Sequence, residues 1–210
     1  MASNTIITLN RQYGSGGTEV AKKLADELGF KYYDKELISL ASKESGYTET
    51  FFENADEKPS NSLLYSIVSS TFSTTGWFYP VDSNIVTNDK LFNIQAGVIR
   101  TVASESNCVI VGRCANFILR NEEKLLSIFT KASMDWRIEN IRSEHSEMDD
   151  KELETYLKKA DKPRSNYYNY YTGQDWEHIA NYDLVLSPDI FGIDGSVEIV
   201  KKALEVKGLI

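Results

Sequence analysis

Thr5-Ile6-Ile7-Thr8-Leu9-Asn10-Arg11-Gln12-Tyr13-Gly14-Ser15-Gly16-Gly17-Thr18-Glu19-Val20-Ala21 is the stretch whose reading decides the fold. A short β-branched apolar run opens it and reads as a fully buried strand. The glycine-rich turn Gly14-Ser15-Gly16-Gly17 follows. From Thr18 to Leu28 the spacing becomes helical, with Val20, Ala21, Leu24, Ala25 and Leu28 on one face. A strand, a glycine turn and a helix N-terminus in that order suit an anion. Glycines let backbone N–H groups converge on a phosphate, and the positive end of the helix dipole favours negative charge there. Arg11, just before the turn, adds a cation whose planar fork suits phosphate oxygens.

The turn departs from a full P-loop, G-x-x-x-x-G-K-[ST], in which Lys meets the β/γ-phosphates and Ser or Thr meets Mg²⁺. Gly17 falls near the lysine position, and Glu19 near the hydroxyl position unless the chain shifts, in which case Ser15 or Thr18 serves. The turn also fails to match G-x-G-x-x-G, so a dinucleotide fingerprint is unsupported. The alternative is a glycine-rich turn that answers only to backbone geometry.

Outward from this stretch, strands alternate with helices. Gly29 is a C-terminal stop for the first helix. Phe30 to Asp34 reads as a short strand, and Lys35 to Ser45 as an amphipathic helix ended by Gly46. Tyr47 to Asp56 looks helical and acidic. Pro59-Ser60-Asn61-Ser62 starts a further helix with Leu63, Leu64, Ile67 and Val68 apolar, and the aromatic run Trp77-Phe78-Tyr79 sits on a loop. A long irregular stretch of this kind, about residues 47–88, suits a lid or a binding insertion. Helices are expected at Asp89–Ser104, Cys114–Arg120, Met134–His145, Asp149–Ala160 and Gly195–Lys207. The strands at 5–9, 108–111, 125–129 and 182–186 are apolar throughout. That pattern marks a parallel sheet covered on both faces, a three-layer α/β fold. Ligands of such sheets lie beyond the carboxyl ends of the strands, which singles out Arg11 to Thr18, Asp34 and Arg113.

At 210 residues the chain suits one domain with an insertion. A net charge of −8 and a pI near 4.9 argue against a general nucleic-acid or membrane-surface binder. Cys108 and Cys114 lie in or beside an apolar run and read as reduced, buried thiols. His145 and His178 are isolated, so no zinc-like cluster is visible. Neither a membrane-spanning run nor a signal-peptide core is seen, which makes a cytoplasmic protein the expectation.

From Asp161 to Gly173 the helical pattern breaks into a basic, tyrosine-rich segment holding Lys162, Pro163 and Arg164, with Arg137 and Arg142 upstream on a helix. Taken with the glycine turn, these cations read as a lid. Such a lid brings charge to a transferring phosphoryl group and excludes water. Singly, Arg137 and Arg142 also read as solvated helix-surface charges.

Three segments together resemble the cytidylate kinase-like family, in the nucleoside-monophosphate-kinase branch of P-loop folds. They are Ile6 to Leu28 with Arg-Gln-Tyr-Gly-Ser-Gly-Gly, Val109-Ile110-Val111-Gly112-Arg113-Cys114-Ala115, and Asp161 to Trp176 followed by Tyr182-Asp183-Leu184. The resemblance implies a P-loop parallel sheet over residues 1–210, with 161–176 as lid. It also implies transfer of the ATP γ-phosphate to a nucleoside monophosphate such as CMP, with Mg²⁺. Carried over, Gly14, Ser15, Gly16, Gly17 and Thr18 form the phosphate loop. Arg113, taken to follow the central strand, approaches the monophosphate, and Asp34 begins the acceptor side. Arg137, Lys162 and Arg164 belong to the lid, and Ser15 or Thr18 meets Mg²⁺.

The departure from the family's kinases is the missing lysine. Losing a preorganised cation at that point costs a few orders of magnitude in rate, so Arg11 is the substitute to test. Two further readings stay open: a nucleotide-binding regulatory protein without turnover, and an interaction protein whose glycine turn is empty. Acceptor identity and oligomeric state are not legible in the sequence.

Overall fold

The computed structural model of the chain describes residues 4–55 and 88–210. The expected helix start at Pro59–Ser62 and the run Trp77-Phe78-Tyr79 lie outside the described residues. Among the described residues, five strands form one all-parallel sheet in the order β2-β3-β1-β4-β5. They are β1 (Ile6–Arg11), β2 (Lys31–Tyr33), β3 (Cys108–Val111), β4 (Leu125–Thr130) and β5 (Leu184–Leu186). Helix α1 (Gly17–Leu28) follows β1, and α2 (Glu36–Ser45) and α3 (Glu49–Ala55) follow β2. Next come α4 (Asn88–Glu105), the single turn α5 (Ala115–Ile118), α6 (Met134–Ile141), α7 (Asp150–Thr172) and α8 (Pro188–Val206).

The strands are apolar on both sides because both sides are covered. Ile6, Cys108, Ile110 and Leu125 pack with α2 and α4 through Leu37, Ile99 and Val102. Their neighbours Ile7, Leu9, Val109, Leu126 and Ile128 pack the other way, on Leu24 of α1 and Val197, Val200 and Leu204 of α8. Successive side chains of a strand point to opposite faces, so β1 delivers Arg11 on the face of Ile7 and Leu9, and Asn10 on the face of Ile6. Both cysteines are buried as thiols, and burial pushes the Cys108 thiol up to about 12. Among the described residues, no helix is long and apolar enough to cross a membrane.

Four expectations change. Strand β1, not β3, is central, so Arg113 leaves the strand beside it. Strand order is a tertiary property that hydropathy does not encode. Helix α6 stops at Ile141 and tightens into a 3-10 turn over Arg142–Glu144. Helix α8 begins at Pro188, with a non-helical Gly192 inside it.

The fourth change is the largest. The pattern does not break at Asp161: α7 runs on to Thr172, straight through Pro163. Its start is fixed by a capping box in which the Asp149 carboxylate accepts from the Glu152 N–H at 2.9 Å and Glu152 returns the bond at 2.9 Å. Pro163 removes one backbone donor, but Leu153 and Leu157 before it and Tyr167 and Tyr168 after it are all buried. Packing on both sides of the proline overrides the local rule, and Gly173 ends the helix with its N–H on the Asn169 carbonyl.

A helix that tolerates an interior proline improves when the proline goes. Pro163→Ala is therefore expected to raise stability by about 1–3 kcal/mol in urea unfolding. A destabilised Pro163→Ala variant would contradict a continuous α7.

Candidate functional site

The chain leaves β1 with its ladder still intact, since the Gln12 N–H donates to the Thr130 carbonyl at 3.0 Å. It then turns through Gly14 (φ 74°) and Gly16 (φ 82°), both left-handed, a conformation that costs any other residue about 1–2 kcal/mol. Among the described residues no side chain caps the start of α1, so its first N–H groups face the cleft above the turn. That cleft encloses about 210 Å³ and is lined by Arg11, residues 12–19, Asn140, Ile141, Glu144 and Arg164.

The turn is fixed from outside by α6 and α7. The Tyr13 N–H donates to Asp161 Oδ1 at 2.7 Å, and Arg137 Nε donates to the Tyr13 carbonyl at 2.7 Å. Arg137 and Asp161 are themselves an ion pair, closing a ring around the backbone of one residue. Asn140 donates to the Gly14 carbonyl at 3.0 Å. Arg164 donates to the Arg11 carbonyl at 3.3 Å and lies 5.2 Å over the Tyr13 ring. Burial pushes the Asp161 carboxyl up, while the Tyr13 N–H and the Arg137 guanidinium pull it back.

Gly17 has no room for a side chain. A Cβ built there would lie 2.1 Å from Thr130 Oγ1 and 2.7 Å from Arg11 Cβ. Thr130, at the end of β4, is fully buried. The lysine position is thus filled from the neighbouring strands rather than left open.

The structure gathers Arg11, Gly14, Ser15, Gly16, Gly17, Thr18 and Arg164 at one cleft. It separates the remaining expected residues. Arg137 is 4% exposed and engaged with Asp161 and the Tyr13 carbonyl, so it anchors the loop. Arg113 pairs with Asp34 at 3.2 Å on the β2–β3 side, and neither lines the cleft. Lys162 is exposed on α7 and stands outside the cleft lining. Arg142 faces solvent and pairs with Glu139 and Asp150. The Ser15 hydroxyl is buried 3.3 Å from Thr130 Oγ1, whereas Thr18 stays partly exposed on the cleft. Thr18 also directly follows Gly17, so it, not Glu19, stands at the hydroxyl position.

Sequence reasoning missed Asp161, Asn140 and Thr130. Asp161 carried a signal, because it precedes Arg164 by three residues and shares its face once the helix is continuous. Thr130 carried a weaker one, as the polar last residue of an apolar strand.

Comparison with known proteins bears on the family and the fold of the chain. A family model described as "Cytidylate kinase-like family" matches residues 6–189. Cytidylate kinase of Archaeoglobus fulgidus is 28% identical over 204 residues, covering 96% of this chain and 95% of that protein. Cytidylate kinase of Pyrococcus furiosus is 28% identical over 206 residues, covering 95% and 88%. An uncharacterized protein from Eubacterium ventriosum matches with a TM-score of 0.69 at 29% identity, over 97% of this chain and 99% of that one. Shikimate kinase from Bacteroides thetaiotaomicron shares the fold, with a TM-score of 0.52 at 18% identity over 96% and 98%.

The ring around Tyr13 makes a quantitative demand. Asp161→Asn leaves the buried Arg137 charge without its counter-charge, and a loss of about 3–5 kcal/mol is expected in denaturant unfolding. A loss below about 1 kcal/mol, the worth of an exposed pair, would contradict the anchor.

Proposed function

The chain belongs to the cytidylate kinase-like family, and from that premise and the cleft geometry we propose that it transfers a phosphoryl group from ATP to a nucleoside monophosphate of the CMP kind. An oxygen of the acceptor's phosphate attacks the γ-phosphorus, the bond to the β–γ bridging oxygen breaks, and ADP leaves. Such a transfer asks little of the protein beyond positioning and charge. The backbone of residues 14–18 would cradle the donor phosphates at the open end of α1. Arg164 would add charge from α7, and the Arg113–Asp34 pair, on the next strand of the sheet, is the acceptor-side candidate. Lys162, exposed on α7, takes no part in this reading.

The observation that carries the proposal is the position of Arg11. Its Cβ lies 2.7 Å from where a side chain at Gly17 would begin. The arginine therefore starts from almost the place the usual lysine would and lines the same cleft. It would supply the cation for the β/γ-phosphates from β1 instead of from α1. Magnesium beside phosphates takes one or two protein oxygens and completes its shell with phosphate and water. Thr18, with Glu19 or Glu144 at the rim, fits that requirement. Among the described residues, no cluster of three or more His, Cys, Asp or Glu side chains could hold a metal by itself. Bound there, the ion would neutralise charge developing between the β- and γ-phosphates.

A second reading, a nucleotide-binding regulatory protein without turnover, draws on the same Gly17, since no side chain of α1 reaches the lysine position. ADP release with ATP, Mg²⁺ and a panel of nucleoside monophosphates separates the two. Acceptor-dependent ADP is expected, and nucleotide-induced stabilisation without ADP for any acceptor would favour the regulatory protein.

Arg11→Ala should lower turnover by about 10²–10³-fold, the usual effect of removing one preorganised donor. Gly17→Lys should not rescue it, because Thr130 occupies the space. Rescue by Gly17→Lys, or unchanged turnover in Arg11→Ala, would overturn the role given to Arg11.

A further inference from the structure

A buried polar chain lies outside the cleft, and the phosphate reading does not use it. Asn116, 6% exposed, donates from Nδ2 to the Tyr168 hydroxyl at 3.0 Å and accepts at Oδ1 from Asn10 Nδ2 at 3.2 Å. Asn10 also donates to the Tyr182 hydroxyl at 3.3 Å. Tyr182 donates to the Trp176 carbonyl at 2.7 Å, and Tyr168 donates to Gln174 at 3.1 Å. Burial pushes both phenols up, so both remain donors at neutral pH. Packing alone does not call for these groups. Phenylalanine would fill the cluster with Phe129 and Trp176 equally well, whereas a buried hydroxyl or amide is costly unless fully bonded.

The elements the chain ties together give the reason for it. Asn10 precedes Arg11 on β1. Tyr168 stands one turn beyond Arg164 on the same face of α7. Asn116 stands three residues past Arg113, on α5 just after a turn in which Gly112, Arg113 and Cys114 have φ of 71°, 53° and 57°. Two successive non-glycine residues in the left-handed region persist only where the surroundings impose it. One amide, on the helix that follows the turn of Arg113, thus touches the strand of Arg11 and the helix of Arg164.

We propose that Asn116 and Tyr168 are positioning residues: their hydrogen bond sets the register of α7 against β1, so that Arg164 meets the donor phosphates beside Arg11. The inference rests on the phosphoryl-transfer reading of the cleft.

A double-mutant cycle on ATP affinity with Mg²⁺ tests it, with folding checked separately by urea unfolding. Tyr168→Phe should weaken ATP binding about three- to ten-fold, the worth of one net hydrogen bond. In an Arg164→Ala background the same change should be silent within about two-fold, because its effect passes through Arg164. Should Tyr168→Phe fail to fold, Asn116→Ser is expected to give the same non-additive pattern. Equal losses in both backgrounds, or no loss in the wild-type background, would overturn the inference and leave the nucleotide site standing. Absence of ATP binding by the unmutated protein would instead overturn the phosphate reading, and the positioning role with it.

Discussion

The ring of contacts around the Tyr13 backbone is the constraint on which the candidate site depends. A glycine-rich turn is by nature loose, because glycine loses more conformational freedom on ordering than any other residue. A turn that binds phosphate through backbone N–H groups must nevertheless hold them in one arrangement before the ligand arrives. Arg137 and Asp161 hold this turn by gripping the N–H and the carbonyl of one residue while neutralising each other. The pair crosses from α6 to α7, so the two helices are fixed to the loop and not only to one another. It also assigns the arginines: Arg137 goes to architecture, which leaves Arg11 and Arg164 at the cleft.

The second constraint is steric. Gly17 lies against Thr130 and Arg11 so closely that a side chain there would meet the strands beneath the loop. Thr130 then serves twice, filling the space and turning the Ser15 hydroxyl inward. That leaves Thr18 as the loop hydroxyl on the cleft. In the proposed reading, the cation comes from Arg11 on the preceding strand instead of from the helix.

Much of this was legible in the sequence. The strand–glycine–helix succession and the strands apolar on both sides report burial, which the chain encodes residue by residue, so the three-layer sheet followed directly. Strand order does not follow from hydropathy, which is why the sequence alone suggests that Arg113 follows the central strand when it leaves the neighbouring one. Arg137 and Arg142 look alike in sequence, yet one is buried and the other solvated. Only the position of Asp161, 24 residues away from Arg137, tells them apart. Pro163 hid that partner, because the local rule for proline ended the helix just where long-range packing of Tyr167 and Tyr168 sustains it.

In the proposed reading, the cleft recognises the terminal phosphates of a nucleotide through the α1 N-terminus and Arg11. Dissociation constants of the unmodified protein for ATP, ADP and AMP, measured with Mg²⁺ by equilibrium titration, test it most directly. ATP and ADP are expected to bind at least about ten-fold more tightly than AMP, as charge-assisted contacts to the outer phosphates require. Equal affinities for all three, or no binding of any, would contradict it.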